Sequence, residues 1–123
     1  MELTDEKVSV LLRKQKEYFS KGNTLSLPSR KANLLKLKSA ILAFQPQLEK
    51  ALAEDLGKHK QESYSSEIGF VLSEITHTIG HLARWMKPDP IKSPMTVFLS
   101  KSYVDKQPNG RVLIIGPFHY PFQ

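Results

Sequence analysis

The sequence predicts an α/β protein that begins with a long helical lead. Three observations carry that expectation. Apolar residues recur at helical spacing from Val8 to Met86, and after Pro94 the spacing becomes that of extended chain. The third is Val112-Leu113-Ile114-Ile115, short, rich in β-branched residues and apolar on both faces, which is the pattern of a strand buried in a parallel sheet. Such a strand needs neighbours on two edges and helices above and below it. At most one strand precedes it, and an isolated two-stranded ribbon is marginal in water. The 123 residues therefore read as the opening of a larger α/β protein, within about one domain's length.

Each element has its own signal. Thr4 is placed to cap a first helix, with Asp5 and Glu6 near the positive end of its dipole. Val8, Leu11, Leu12, Gln15, Tyr18 and Phe19 follow at helical spacing, and Gly22 ends the run. Pro28 suits the first turn of a second helix, with Leu34, Leu37, Ile41 and Phe44 on one stripe. Pro46 is expected to break that helix and start a third, carrying Leu48, Ala51 and Leu52 and stopped by Gly57. Ile68, Leu72, Ile75, Ile79, Leu82 and Met86 form the seam of the longest helix, which Pro88 and Pro90 terminate. Residues 97–106 then read as extended, Gln107-Pro108-Asn109-Gly110 as a turn, and 112–115 as the buried strand. Gly116 and Pro117 end the strand, and an aromatic, proline-containing loop runs to Gln123.

Composition narrows the function classes. Apolar residues at 40% and charged residues at 24% are values of a folded globular chain and argue against disorder. No aliphatic run exceeds 112–115, so no segment spans a membrane, and Met1 to Glu6 lacks the basic-then-apolar layout of a signal peptide. The chain is expected to be cytoplasmic. Cysteine is absent, which excludes disulfides, thiolate metal sites and a cysteine nucleophile within these residues. The net charge of +6 is uneven, for no acid lies between Glu17 and Glu49 whereas Lys21, Arg30, Lys31, Lys36 and Lys38 do. With no nucleic-acid motif and only Phe19 and Phe44 near its ends, this patch reads as a solvated helix face and not as a nucleic-acid surface.

Few residues carry chemical signals. In open α/β sheets ligands sit outside the carboxyl ends of strands, the place that residues 116–122 occupy. Gly116 would allow close backbone approach, while Pro117 and Pro121 stiffen the loop. Spacing alone leaves a ligand loop and a packed strand-end turn equally open. Glu74, His77 and His81 can share one helix face, but the second such motif and the further carboxylates of a di-metal bundle are missing, so a packed or solvated face is the reading and no metal is expected. His59, between Lys58 and Lys60, carries no specific signal. Trp85 reads as an anchor at an apolar helix end and Tyr103 as a strand residue. The dinucleotide, phosphate-loop and nucleophile-elbow motifs are all lacking.

Several motifs in order resemble the N-terminal region of aldehyde dehydrogenases, with the greatest likeness to the class 3 or fatty-aldehyde branch. They are Ala53-Glu54-Asp55-Leu56-Gly57-Lys58, the run EIGFVLSEI at 67–75, Arg84-Trp85-Met86-Lys87-Pro88, Lys101-Ser102-Tyr103, and GRVLIIGPFHYPFQ at 110–123. The resemblance covers the chain from about Val8 onward. It implies oxidation of aldehydes to carboxylic acids with NAD or NADP as hydride acceptor, through a cysteine thiohemiacetal and a glutamate-activated water. The fold it implies has a Rossmann-like cofactor domain, a catalytic domain and a β extension used in homodimerisation. Residues 4–95 would be a helical segment packed on the cofactor domain, 96–110 part of the β extension, and 111–123 the first strand and loop of the cofactor domain.

By the same resemblance Gly116, Pro117 and Phe118 would contact the cofactor, and His119 takes the place of the asparagine that stabilises the oxyanion. The family loop usually reads Gly-Pro-Trp-Asn-Tyr-Pro, so Phe118 keeps an aromatic wall without the indole N–H. Loss of one oxyanion donor can cost about 10²–10³ in rate. The family's cysteine and glutamate lie downstream of Gln123, so the chain alone is expected to be inactive. Two further readings are a non-catalytic helical interaction module and a gene remnant, both derived from the enzyme.

Overall fold

The computed structural model describes residues 4–123. The first three residues of the acidic N-terminal stretch lie outside the described residues. Helix α1 (Asp5–Ser20) starts where Thr4 accepts a hydrogen bond from the Lys7 N–H at 3.5 Å, and Gly22, at φ 75°, turns the chain after it. Helix α2 (Leu27–Leu56) is capped by Ser26, whose Oγ accepts from the Ser29 N–H at 3.3 Å. Its end is a left-handed glycine cap. The Gly57 N–H donates to the Ala53 carbonyl at 3.0 Å and the Lys58 N–H to the Leu52 carbonyl at 3.4 Å, with Gly57 at φ 65°.

Pro46 does not break this helix, contrary to expectation: α2 runs through it as one element of 30 residues. The missing N–H and the ring cost about 3 kcal/mol in a helix interior. Ile41 and Leu52, on either side of the proline, are both buried against α4, and burying two such side chains contributes about 1.5–3 kcal/mol each. Packing on both flanks thus holds one axis through the proline.

A single turn, α3 (Lys60–Ser63), leads through a π-helical turn (Tyr64–Ile68) into α4 (Gly69–Trp85). His59 caps α3, its Nδ1 accepting from the Gln61 N–H at 3.3 Å. In the π turn the Gly69 N–H reaches back five residues to the Tyr64 carbonyl. A Cβ on Gly69 would lie 2.8 Å from that oxygen and 2.9 Å from the Tyr64 ring, so this turn needs glycine there.

The core lies between α2 and α4. Ile41 and Leu52 meet Ile68, Leu72 and Ile75, with Leu34, Leu48, Val71, Ile79 and Phe122 packed around them. Leu82 is also buried, so the α4 seam is a core seam, with Ile79 and Met86 half-buried along it. The stripe of α2 is buried less evenly: Leu37 and Phe44 remain exposed. Helix α1 buries none of its residues; Val8, Leu11, Leu12 and Tyr18 all face solvent.

The α/β expectation is met only in part, because the described residues are mostly helical with one small hairpin. Strand β1 (Asp89–Ile91) pairs antiparallel with β2 (Ser102–Val104), placing Pro90 opposite Tyr103. Lys106 Nζ closes the open end on Asp89 Oδ2 at 2.7 Å. The extended stretch expected over 97–106 is shorter than foreseen, since Met95–Val97 forms a 3-10 turn and only Ser102–Val104 is strand. Residues 112–115 form no strand and are 71–87% exposed. Their expected place in a parallel sheet requires neighbours on both edges, and the described residues supply none. The turn expected at 107–110 does not form; Gly110 takes φ 84°, and a Cβ there would lie 3.3 Å from the ring of Phe19.

Candidate functional site

The loop at 116–123 is held at one end only. Gly116 has open space where a Cβ would point, and Phe118 is 94% exposed. From His119 onward the chain is fastened. The His119 carbonyl accepts a hydrogen bond from Lys58 Nζ at 2.8 Å, and the Phe122 N–H donates to Glu67 Oε2 at 2.9 Å. Glu67 and Lys58 are themselves ion-paired through Oε1 and Nζ. Lys58 Nζ also stands 4.4 Å from the centroid of the Tyr120 ring, a cation–π distance. The His119 ring meets that ring edge-on, with centroids 4.9 Å apart.

Local structure explains how these groups converge. Lys58 directly follows Gly57, whose left-handed conformation swings the chain out of α2. Glu67 lies in the π turn, next to Ile68, and both side chains are fully buried. A buried carboxylate needs a cation and hydrogen-bond donors to offset its desolvation. Lys58 and the Phe122 amide supply them, and the Phe122 side chain packs against the core beside them. Neither Lys58 nor Glu67 shows its role in the sequence, because their separation of nine residues crosses a helix stop and a π turn. The one available signal is an acid at the head of an otherwise apolar seam.

The other residues singled out from sequence have different surroundings. His77 and His81 stack at 4.1 Å, Trp85 lies 5.7 Å from His81, and His81 Nδ1 is 2.8 Å from the His77 carbonyl. Trp85, read as an anchor at the helix end, is 39% exposed and extends a ring stack with His77 and His81 along α4. Glu74 has no part in this stack, and no group of three His, Cys, Asp or Glu side chains converges among the described residues. In the basic patch, Lys38 Nζ donates to Thr76 Oγ1 at 2.8 Å, and Arg30 Nε to the Thr24 carbonyl at 2.8 Å. Lys38 thus ties α2 to α4, and Arg30 ties α2 to the loop before it. An open cavity of about 470 Å³ between α1 and residues 108–112 is lined by Tyr18, Phe19, Arg30 and Arg111, apart from the loop.

Comparison with known proteins agrees with the motif order. The model of the aldehyde dehydrogenase family matches residues 1–123. Over 108 residues the chain is 42% identical to 4,4'-diaponeurosporen-aldehyde dehydrogenase of Staphylococcus aureus, covering 88% of this chain and 24% of that protein. Over 115 residues it is 34% identical to the dimeric NADP-preferring aldehyde dehydrogenase of Rattus norvegicus, covering 94% and 25%. A solved structure titled as the substrate-bound state of Staphylococcus aureus AldH superposes with a TM-score of 0.91 at 37% identity, covering 100% of this chain and 26% of that one. The chain thus spans about a quarter of the length of the relatives it matches.

Proposed function

On the premise that the chain belongs to the aldehyde dehydrogenase family, with class 3 relatives among its matches, we propose that it forms the N-terminal portion of an NAD(P)-dependent enzyme oxidising aldehydes to carboxylic acids. The observation that carries this reading is the loop at 116–123, seated on the helical core within a chain whose whole path follows a solved relative. The residues present suit one edge of a dinucleotide. Gly116 leaves room for close backbone approach, and Phe118 presents a bare aromatic face. When bound, the nicotinamide accepts hydride. Gly116, Pro117 and Phe118 would line it, and His119 would direct an imidazole N–H toward the substrate oxygen, where negative charge develops.

This chain has no cysteine, so it supplies no thiolate nucleophile of its own. The reading makes 123 residues a scaffold and one wall of a site completed elsewhere. It also gives residues 96–110 a part in the β extension of a homodimer, in keeping with the name of the rat relative, and the protein a place in the cytoplasm. The test is to read the gene and transcript beyond the Gln123 codon and assay the purified chain. An in-frame, cysteine-bearing continuation and no NAD(P)H formation from aldehyde by the 123 residues alone are expected. Cysteine-independent NAD(P)H formation by the pure chain would overturn the assignment of roles.

One observation favours a second reading, a non-catalytic module that pairs with an intact dehydrogenase subunit. The segment 112–115 is apolar and uncovered, as an edge awaiting a partner would be. Co-purification with a full-length subunit supports it, and a monodisperse, partner-free monomer counts against it.

A further inference from the structure

We propose that Lys58 and Glu67 are positioning residues, a buried ion pair that seats the backbone of residues 119–122 and thereby fixes the direction in which His119 presents its ring. The inference rests on the reading of His119 as the oxyanion donor and adds what holds that donor in place.

The pair grips the loop at two points. Lys58 takes the His119 carbonyl at one end, and Glu67 takes the Phe122 amide at the other. Both contacts are to main chain, so they hold the loop whatever side chain stands at 119. Both carboxylate oxygens of Glu67 are used, one by Lys58 and one by the loop. The carboxylate has no exposure to water, and any shift of the loop would leave it short of a donor in a dry environment. The Phe122 side chain adds a third hold by packing on the core. Lys58 also lies over Tyr120, whose ring in turn meets His119 edge-on. Lys58 thus holds His119 by its carbonyl, and the Tyr120 ring meets its imidazole, whereas Gly116 and Phe118 have neither hold. A donor aimed at developing charge acts best when its direction is set before reaction, and that direction is set by the groups behind it.

The test uses the 123-residue chain and reads no turnover. Hydrogen exchange at the Phe122 amide and the ring-proton resonances of His119 are compared in wild type, Lys58→Arg and the double variant Lys58→Met/Glu67→Leu. Replacing both members of a buried ion pair with apolar side chains of similar size is often neutral for stability, whereas removing one is strongly destabilising. In the double variant exchange at Phe122 should quicken by about tenfold or more, with the amides of Leu72 and Ile75 unchanged. The His119 resonances should move to those of a free histidine, as its ring leaves the edge of Tyr120. Lys58→Arg, which keeps charge and donors, should retain wild-type signals. Unchanged Phe122 and His119 signals in a folded double variant would overturn the proposal. Loss of the helical core in that variant would overturn it too, by making the pair a support of α2 and α4 instead. Because aldehyde oxidation is not measured, the seat can fail while the dehydrogenase reading stands, and the reverse.

Discussion

Two apolar stretches of this chain look equally suited to a core and have opposite fates. The seam that runs from the π turn into α4 buries Ile68, Leu72 and Ile75 against α2, while Val112, Leu113, Ile114 and Ile115 stand in solvent. Hydrophobicity does not separate them. A helix closes its backbone hydrogen bonds within itself and needs only one apolar neighbour, which α2 supplies. A strand apolar on both faces needs partners for its backbone and cover for two sides. Elements of the first kind find their structure within a quarter of the relatives' length, and elements of the second kind do not.

The largest expected effect breaks the buried side of that contrast. Ile68 is fully buried at the centre of the cluster, and Ile68→Ala should lower unfolding free energy by about 2–5 kcal/mol, read by denaturant titration. If the loss stays below about 0.5 kcal/mol, the α2–α4 contact is not the core of the chain. Next in size is Gly69→Ala. Its Cβ would meet the Tyr64 carbonyl at 2.8 Å, so the π turn must open, at about 1–3 kcal/mol. Glu67 shares that turn, and exchange at the Phe122 amide should quicken along with the loss of stability. Gly57→Ala is milder. Nothing crowds the added methyl, and only the left-handed φ of 65° opposes it, at about 1 kcal/mol by thermal melting.

The same contrast explains what was legible in the sequence. Thr4, Gly22, Gly57 and the α4 seam act through local geometry, and each lies where its residue type implies. Pro46 was misleading because its local cost is outweighed by burial of Ile41 and Leu52, a tertiary effect that no window of sequence contains. The π turn was illegible for a related reason: it depends on one contact between Gly69 and Tyr64. Of the candidate site, the loop and His119 were visible through motif order, and so were Lys58 and Glu67 as members of two motifs; that they pair was not, since their spacing belongs to no regular element. Residues 112–115 read as a strand and form none, because the described residues supply no neighbour for either edge.

The smallest expected effect sharpens the exposed side. Ile114 is 87% exposed, so Ile114→Lys should change the stability of the 123-residue chain by no more than about 0.5 kcal/mol. Its effect should appear in association instead. An uncovered apolar edge favours chain-to-chain pairing, and a lysine on that edge opposes it, so sedimentation should show less self-association for the variant at equal concentration. A stability loss as large as that of Ile68→Ala would show that residues 112–115 are already packed, and the contrast between the two stretches would collapse. If stability holds and association falls, the segment is apolar because something outside these residues covers it. A polypeptide that does cover it should then tolerate Ile114→Lys far less well than this chain does, since the added charge would be buried without a partner.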